Sequence, residues 1–176
     1  MPTSDFHAVS DIMGEIQHLC PRSVLDLGAG FGKFGVLCRE ILDARFGRCR
    51  PDQWETRIDG VEAWQAYQNP CWEIYNRFTT GAIRKIYSGY DLVLMIDVLE
   101  HFDSNSGSDI LTRLVAANKH VIVSVPNGKM EQGAEFGNPH EAHVRTFNGV
   151  EDFGLYNFKL IHQSVCTVVS IEGMAA

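Results

Sequence analysis

The stretch Asp26-Leu27-Gly28-Ala29-Gly30-Phe31-Gly32 decides the fold. It follows the apolar Val24 and Leu25 and opens a helix-like run, so it reads as a strand ending in a glycine-rich turn. Glycine at every second position lets the backbone bend tightly and approach a ligand where a side chain would collide with it. Asp26 is then the polar group at the strand's end.

The overlapping Gly30-Phe31-Gly32-Lys33-Phe34-Gly35 satisfies G-x-G-x-x-G directly after a strand, the pattern of a dinucleotide site. Asp26, two residues before Gly28, argues for a different ligand, because a carboxylate there is poorly suited to a pyrophosphate but pairs with an ammonium or a bound water. The pattern D-x-G-x-G-x-G resembles the first motif of the class I S-adenosylmethionine-dependent methyltransferases, in which the turn holds the methionine end of the cofactor. The resemblance implies Asp26, Gly28, Ala29 and Gly30 as cofactor contacts.

Away from this turn the chain alternates helix-like and strand-like segments. Phe6, Val9, Ile12, Met13, Ile16 and Leu19 fall at helical spacing, which predicts an amphipathic helix over 5–19 with Thr3 or Ser4 as its cap and Pro21 beyond its end. Val24 to Leu27 is the first strand, Lys33 to Ala44 a helix, and Arg57 to Val61 the second strand. A short helical segment at Pro70 to Tyr75 leads to a strand at Arg77 to Thr80. The nearly continuous apolar run within Tyr90 to Asp97 predicts a strand buried on both faces. Ile110 to Ala117 and Val150 to Tyr156 read as helical, His120 to Val125 as a strand, and Phe158 to Ser164 with Thr167 to Ile171 as a closing hairpin.

This order predicts a single α/β domain over 1–176, with right-handed crossovers, a mostly parallel sheet and helices on both faces. It resembles the seven-stranded Rossmann-like methyltransferase sheet, whose last strand runs antiparallel. The segment Arg45 to Glu55 carries Arg45, Arg48 and Arg50, with Pro51 breaking any helix. A helix-to-strand connection lies at the edge of the sheet opposite the ligand crevice, so this segment is expected to be a solvated loop or a subunit contact.

Composition bounds the function. The 176 residues suit one domain, and 22 Asp and Glu against 15 Lys and Arg give a formal charge of −7, which opposes attraction to phosphate backbones. No nucleic-acid partner is expected. Five scattered cysteines form no C-x-x-C pair and suit reduced thiols of a cytoplasmic protein. No apolar run reaches a membrane span, the start of the chain lacks a signal-like pattern, and no linker or repeat marks a second domain.

Further stretches extend the resemblance. Glu62 ends the second strand, where an acid some 20 or more residues beyond the glycine turn accepts hydrogen bonds from ribose hydroxyls. Ala63 follows it. Trp64 either covers the adenine or is a core or rim residue. After the third strand, Thr79-Thr80-Gly81-Ala82-Ile83 departs from the family pattern, because Ala82 stands where an acid or polar group reads the adenine amino group. Ala82 and Ile83 are then expected to line the adenine through backbone or apolar contacts.

Tyr90 to Phe102, which contains Asp97-Val98-Leu99-Glu100-His101, looks like the fourth-strand motif of small-molecule methyltransferases related to the ubiquinone-biosynthesis O-methyltransferases. The resemblance implies Asp97 and Val98 beside the cofactor, with Glu100 and His101 at the methyl-transfer site. Capping of the next helix is the competing role for these polar groups. The Asn or Asp followed by Pro-Pro-aromatic that serves flipped bases is absent.

Pro126 to Asn148 is expected to form a lid over the cofactor, since a loop of this length in a compact domain is usually functional. It carries His140-Glu141-Ala142-His143-Val144-Arg145-Thr146-Phe147, and H-x-x-H-V-R-x-F again resembles the small-molecule enzymes. No metal is expected, because H-E-x-H falls one residue short of the zincin spacing and Pro139 favours a loop over a helix. His101, His143 and His140 are candidate bases that remove a proton from the methyl acceptor, and Glu100, His101, His140 and Arg145 are candidate substrate contacts.

The expected activity is S-adenosylmethionine-dependent methylation of oxygen, nitrogen or carbon on a small molecule, free or carried on a larger partner, by a chain able to form homo-oligomers. A binding module of the same fold without catalysis is the alternative. An NAD-dependent oxidoreductase built on the literal G-x-G-x-x-G is a third reading.

Overall fold

The computed structural model describes residues 4–81, 83 and 87–175. Seven strands form one sheet: β1 (Ser23–Leu27), β2 (Arg57–Glu62), β3 (Arg77–Thr80), β4 (Leu92–Ile96), β5 (His120–Pro126), β6 (Phe158–Gln163) and β7 (Cys166–Glu172). Their spatial order is β3-β2-β1-β4-β5-β7-β6. Only β7 runs against the others, inserted between β5 and β6. The order reverses between β1 and β4, and ligands of open α/β sheets bind at the carboxyl ends of the strands beside such a reversal.

Strand β4 carries the predicted two-sided burial. Leu92, Leu94 and Ile96 pack with Ile12, Ile16, Phe34 and Cys38 on one face of the sheet, whereas Val93 and Met95 pack with Ile110, Leu111 and Leu114 on the other. Period-two alternation therefore feeds two apolar cores from one uninterrupted apolar run. Helices α1 (Val9–Leu19) and α2 (Lys33–Leu42) cover the first face, and α3 (Ser104–Ala117) covers the second.

Four local expectations are corrected. Helix α1 begins at Val9 rather than at residue 5, with no side-chain cap from Ser4, and Thr3 lies outside the described residues. Residues Ser4 and Asp5 instead run over the ligand end of the sheet, where the Asp5 amide donates to Asp97 Oδ2 (3.1 Å) and Lys33 Nζ donates to the Ser4 carbonyl (2.7 Å). Helix α3 starts six residues before Ile110, because Asp103 accepts from the amides of Asn105 and Ser106 and nucleates a polar first turn.

The basic segment 45–55 is not merely solvated. The fully buried Asp43 accepts from Arg39 Nη1 (2.5 Å), Arg48 Nε (2.8 Å) and the Glu55 amide (2.9 Å), so the segment folds around one carboxylate. Finally, 126–148 is an ordered cover with short helical turns at Glu135–Gly137 and Pro139–Glu141. The amides of Val144 and Arg145 both donate to the Glu100 carbonyl.

Candidate active site

The glycine turn takes left-handed backbone at all three alternating positions, with φ of 80° at Gly28, 55° at Gly30 and 101° at Gly32. A Cβ at Gly28 would meet Val98 Cγ2 at 2.5 Å. Glycine is therefore required there by sterics as well as by φ. The Gly28 and Ala29 amides donate to the Val61 carbonyl, the Gly30 amide to Glu62 Oε2 (2.8 Å) and the Gly32 amide to the Ala29 carbonyl. A pyrophosphate needs free amides at this turn, and these four are already engaged inside the protein.

Gly35, third glycine of the literal dinucleotide pattern, has a different explanation. A Cβ there would lie 2.2 Å from Tyr75 Cζ. The vacant space admits the Tyr75 ring, whose hydroxyl donates to Asp26 Oδ2 at 2.6 Å. Burial pushes the Asp26 carboxyl up to about 6 despite that bond. Asp26 lines the cleft and is poised to ionise when a cation arrives beside it.

Glu62 is buried and accepts from the Gly30 and Trp64 amides through different oxygens, which couples the end of β2 to the glycine turn. The carboxylate also lines the cleft, where a ligand's hydroxyls can reach it. Burial raises its pKa above the ordinary carboxylate range. Ala63 and Ile83 line the same part of the cleft, and Ala82 lies outside the described residues. Trp64 is met edge-on by His140, with ring centroids 6.2 Å apart.

Asp97 leaves β4 with φ of 55°, a conformation that non-glycine residues adopt rarely and that clusters at functional sites. It is held by Ser124, whose hydroxyl donates to Asp97 Oδ1 (2.6 Å), and by the Asp5 amide. This bend turns the next residues into the cleft. Val98, Glu100 and His101 all line it. None of them caps α3, since Asp103 does.

Glu100 is 1% exposed, and its Oε2 has no hydrogen-bond partner. Burial, with Asp97 and Glu141 nearby, raises its pKa well above the ordinary range. His101 and His143 face one another with ring centroids 5.1 Å apart. The Nδ1 of His101 lies 3.2 Å from the Ala142 carbonyl and that of His143 lies 3.0 Å from the Met130 carbonyl. A carbonyl can only accept, so each Nδ1 carries a proton, and in a neutral ring Nε2 is then the atom with the lone pair. Burial lowers the pKa of His101, keeping the ring neutral.

The fold does not assemble every residue expected from the sequence. His140 lines the cleft, yet the grouping brought together is Glu100, His101 and His143 rather than His140, Glu141 and His143. Glu141 instead accepts from Tyr67 Oη (2.9 Å) and Asn138 Nδ2 (3.2 Å). Arg145 does not line the cleft: its guanidinium lies over the Phe147 ring, 4.3 Å from the centroid, and 3.9 Å from Asp152. Sequence reasoning missed Tyr75, Asp5 and Lys33, which carry no motif of their own.

These groups line one cleft of about 780 Å³. Asp26, Glu62, Asp97, Glu100 and Glu141 line it, and among the described residues Lys33 is its one Lys or Arg. So many carboxylates around a low-dielectric cleft create a negative potential that favours cationic ligands. A sulfonium compound with an ammonium tail fits that potential.

No family model matches the chain, and no curated protein does. Solved structures match throughout. The methyltransferase domain of a bacterial protein, CtHen1, is 17% identical over 93% of this chain and 96% of its own, with a TM-score of 0.60. The 1,6-didemethyltoxoflavin-N1-methyltransferase of Burkholderia thailandensis, with S-adenosylhomocysteine bound, is 16% identical over 97% and 80%, with a TM-score of 0.66. Human N-acetylserotonin methyltransferase, in complex with S-adenosylmethionine, is 14% identical over 94% of this chain and 51% of its own, with a TM-score of 0.67.

The chain has the Rossmann-like methyltransferase fold. At these identities the likeness is one of fold, and it carries no support for the ubiquinone-biosynthesis group in particular. Within the methyltransferase fold, the glycine turn, Glu62 and the β4 end all stand at the carboxyl edge of the sheet, around the same cleft. No helix among the described residues is long and apolar enough to cross a membrane.

Proposed function

We propose that this chain transfers a methyl group from S-adenosylmethionine to a small-molecule acceptor. The observation that carries the reading is Glu62, a buried acid on β2 joined to the Gly30 amide of a turn whose three glycines are all left-handed. Its cleft-lining carboxylate suits the two hydroxyls of a ribose, and Asp26 and the bent main chain suit the amino-acid end of the cofactor. Val98, Ala63 and Ile83 supply apolar walls.

The sulfonium provides an activated methyl and a neutral leaving group, so the protein's work is alignment of nucleophile, carbon and sulfur, and removal of a proton. The Glu100, His101 and His143 group stands where β4 opens into the cleft and is the part that takes up that proton. An acceptor hydroxyl or amine fits the acidic cleft better than an anion does. A polyphosphate backbone is disfavoured by the same carboxylates. The five free thiols suit a reducing, cytoplasmic setting.

The NAD reading loses its physical basis, because the turn amides are engaged and Gly35 serves Tyr75. Calorimetric titration with S-adenosylhomocysteine and with NAD tests the cofactor: saturable binding of the first only is expected. Incubation with methyl-labelled cofactor and fractionated metabolite extract tests the reaction, with label expected in a low-mass product. Cofactor binding with no transfer to any fraction would leave a binding module.

A further inference from the structure

Outside the cleft, the seam between α1 and the closing hairpin joins three side chains in series. His162 Nδ1 lies 2.7 Å from Asp11 Oδ2, and His162 Nε2 lies 2.7 Å from Ser164 Oγ. A carboxylate only accepts, so Nδ1 carries a proton, and in the neutral ring Nε2 accepts from the Ser164 hydroxyl. Acid, imidazole and hydroxyl thus stand in the order that activates a nucleophilic serine. None of the three lines the cleft.

The trio is braced from both elements. Asp11 and Glu15 stand one turn apart on α1, and Glu15 accepts from Lys159 Nζ on β6 (2.6 Å), so a second bridge fixes the helix against the hairpin. The turn at Ser164 is pinned by its own amide, which donates to the Cys166 carbonyl (2.9 Å), and by Asn127 Nδ2, which donates to the Ser164 carbonyl (2.7 Å). The His162 side chain is only 16% exposed, whereas Ser164 is open to solvent. The base is held and the nucleophile is reachable. Among the described residues, no acceptor takes the amide of Val165, the residue after the serine. An unpaired N–H directly after a nucleophile is a donor for the oxyanion that forms when the nucleophile attacks a carbonyl.

We propose that Ser164, His162 and Asp11 form a second reactive centre, which hydrolyses activated acyl esters. A single oxyanion donor at an open surface gives less stabilisation than an enclosed pair does. The centre therefore suits acyl groups that already carry a good leaving group, thioesters and aryl esters. It uses neither the glycine turn nor Glu62, so it does not rest on the methyltransferase reading.

Ser164 Oγ forms a bond to the acyl carbon as its proton passes to His162 Nε2, and the carbonyl oxygen takes the electron pair of the broken π bond. When that pair returns, the bond to the leaving thiolate or phenolate breaks, and the leaving group takes the proton from His162. The acyl group now sits on Ser164. Water adds in the same way, with His162 as base, and releases a carboxylic acid and the free serine. Asp11 is a positioning residue in this scheme: it holds the ring by Nδ1 and favours the imidazolium that forms.

The test treats the full chain with diisopropyl fluorophosphate, which phosphorylates an activated serine with loss of fluoride, and locates the adduct by peptide mass mapping. One adduct per chain is expected, on Ser164, forming at least tenfold more slowly in His162→Ala and in Asp11→Asn, with Asp11→Glu recovering more of the rate than Asp11→Asn. Hydrolysis of 4-nitrophenyl acetate is expected to be at least tenfold slower in Ser164→Ala, a comparison that subtracts the background from exposed Cys20, Cys49 and Cys71. Circular dichroism reports that each variant is folded. No adduct on Ser164 in the folded parent chain, or an equal labelling rate in folded His162→Ala or Asp11→Asn, overturns the proposal. Labelling of Ser164 in a chain that binds no S-adenosylhomocysteine would leave this centre standing and remove the methyltransferase reading.

Discussion

The Tyr75 hydroxyl donates to Asp26 Oδ2 at 2.6 Å, and the ring that delivers it occupies the space a side chain at position 35 would fill. Gly35 on α2, Tyr75 before β3 and Asp26 on β1 are thus one steric and polar arrangement beneath the cofactor turn. Gly35→Ala is expected to displace the ring and destabilise the fold by about 1–3 kcal/mol, as overpacking does. Tyr75→Phe keeps the ring and removes the donor, with a loss of about 1–3 kcal/mol. Urea unfolding of both variants measures these losses.

Asp26 makes the stability of the ligand-free protein depend on pH. Burial raises its folded pKa to about 6, above the ordinary 3.8 of the unfolded chain, so the native state holds a proton that the unfolded state releases. The corresponding stability is full below about pH 4 and is lost as the pH rises through about 6. Asp26→Asn removes that loss. The variant is expected to be more stable than the parent by about 3 kcal/mol at pH 7.5, with the gap closing as the pH falls from 6 towards 4, and to bind S-adenosylhomocysteine more weakly.

Gly28→Ala tests the turn itself. Its Cβ would be placed at φ of 80° and 2.5 Å from Val98 Cγ2, so turn and β4 exit must move apart. At least a tenfold loss of S-adenosylhomocysteine affinity is expected, measured by calorimetry at a temperature where circular dichroism shows the variant folded. An unchanged affinity would remove Gly28 from the cofactor site.

Asp43 provides the control away from the cleft. Burial alone would raise its pKa, but hydrogen bonds from the Glu55 amide, Arg48 and Arg39 outweigh burial and hold it below the ordinary value. Its contribution is therefore present above about pH 4 and is lost as the pH falls through its depressed folded pKa. Asp43→Ala strands the buried Arg39 and is expected to destabilise by about 3–5 kcal/mol. The fraction that remains folded should bind S-adenosylhomocysteine as the parent does.

Local sequence was sufficient where periodicity and glycine spacing carry the information. The turn at 26–32, the run at 91–96 and the alternation of segments point to the sheet that is observed, including its antiparallel final strand. Polar stretches hid what they form. The first turn of α3 is Ser-Asn-Ser-Gly, readable only through its Asp103 cap, and Arg48 looks solvated until its partner Asp43 is known to be buried.

The cleft was readable by segment and not by grouping. Glu62 and Gly30 sit on neighbouring strand ends, as their order along the chain suggests. His143 reaches Glu100 and His101 from 43 and 42 residues away because the cover folds back onto the Glu100 carbonyl, and no spacing rule anticipates that. Arg145 is held away from the cleft for a local reason, since Phe147 and Asp152 offer its guanidinium a stacking face and a carboxylate.

The central claim is that Glu62 and the glycine turn together hold S-adenosylmethionine. Calorimetric titration of the parent chain and of Glu62→Ala with S-adenosylhomocysteine tests it most directly. One site per chain is expected in the parent, with at least a tenfold weaker affinity in the variant. Absence of binding by the folded parent chain, or equal affinity in Glu62→Ala, would contradict it.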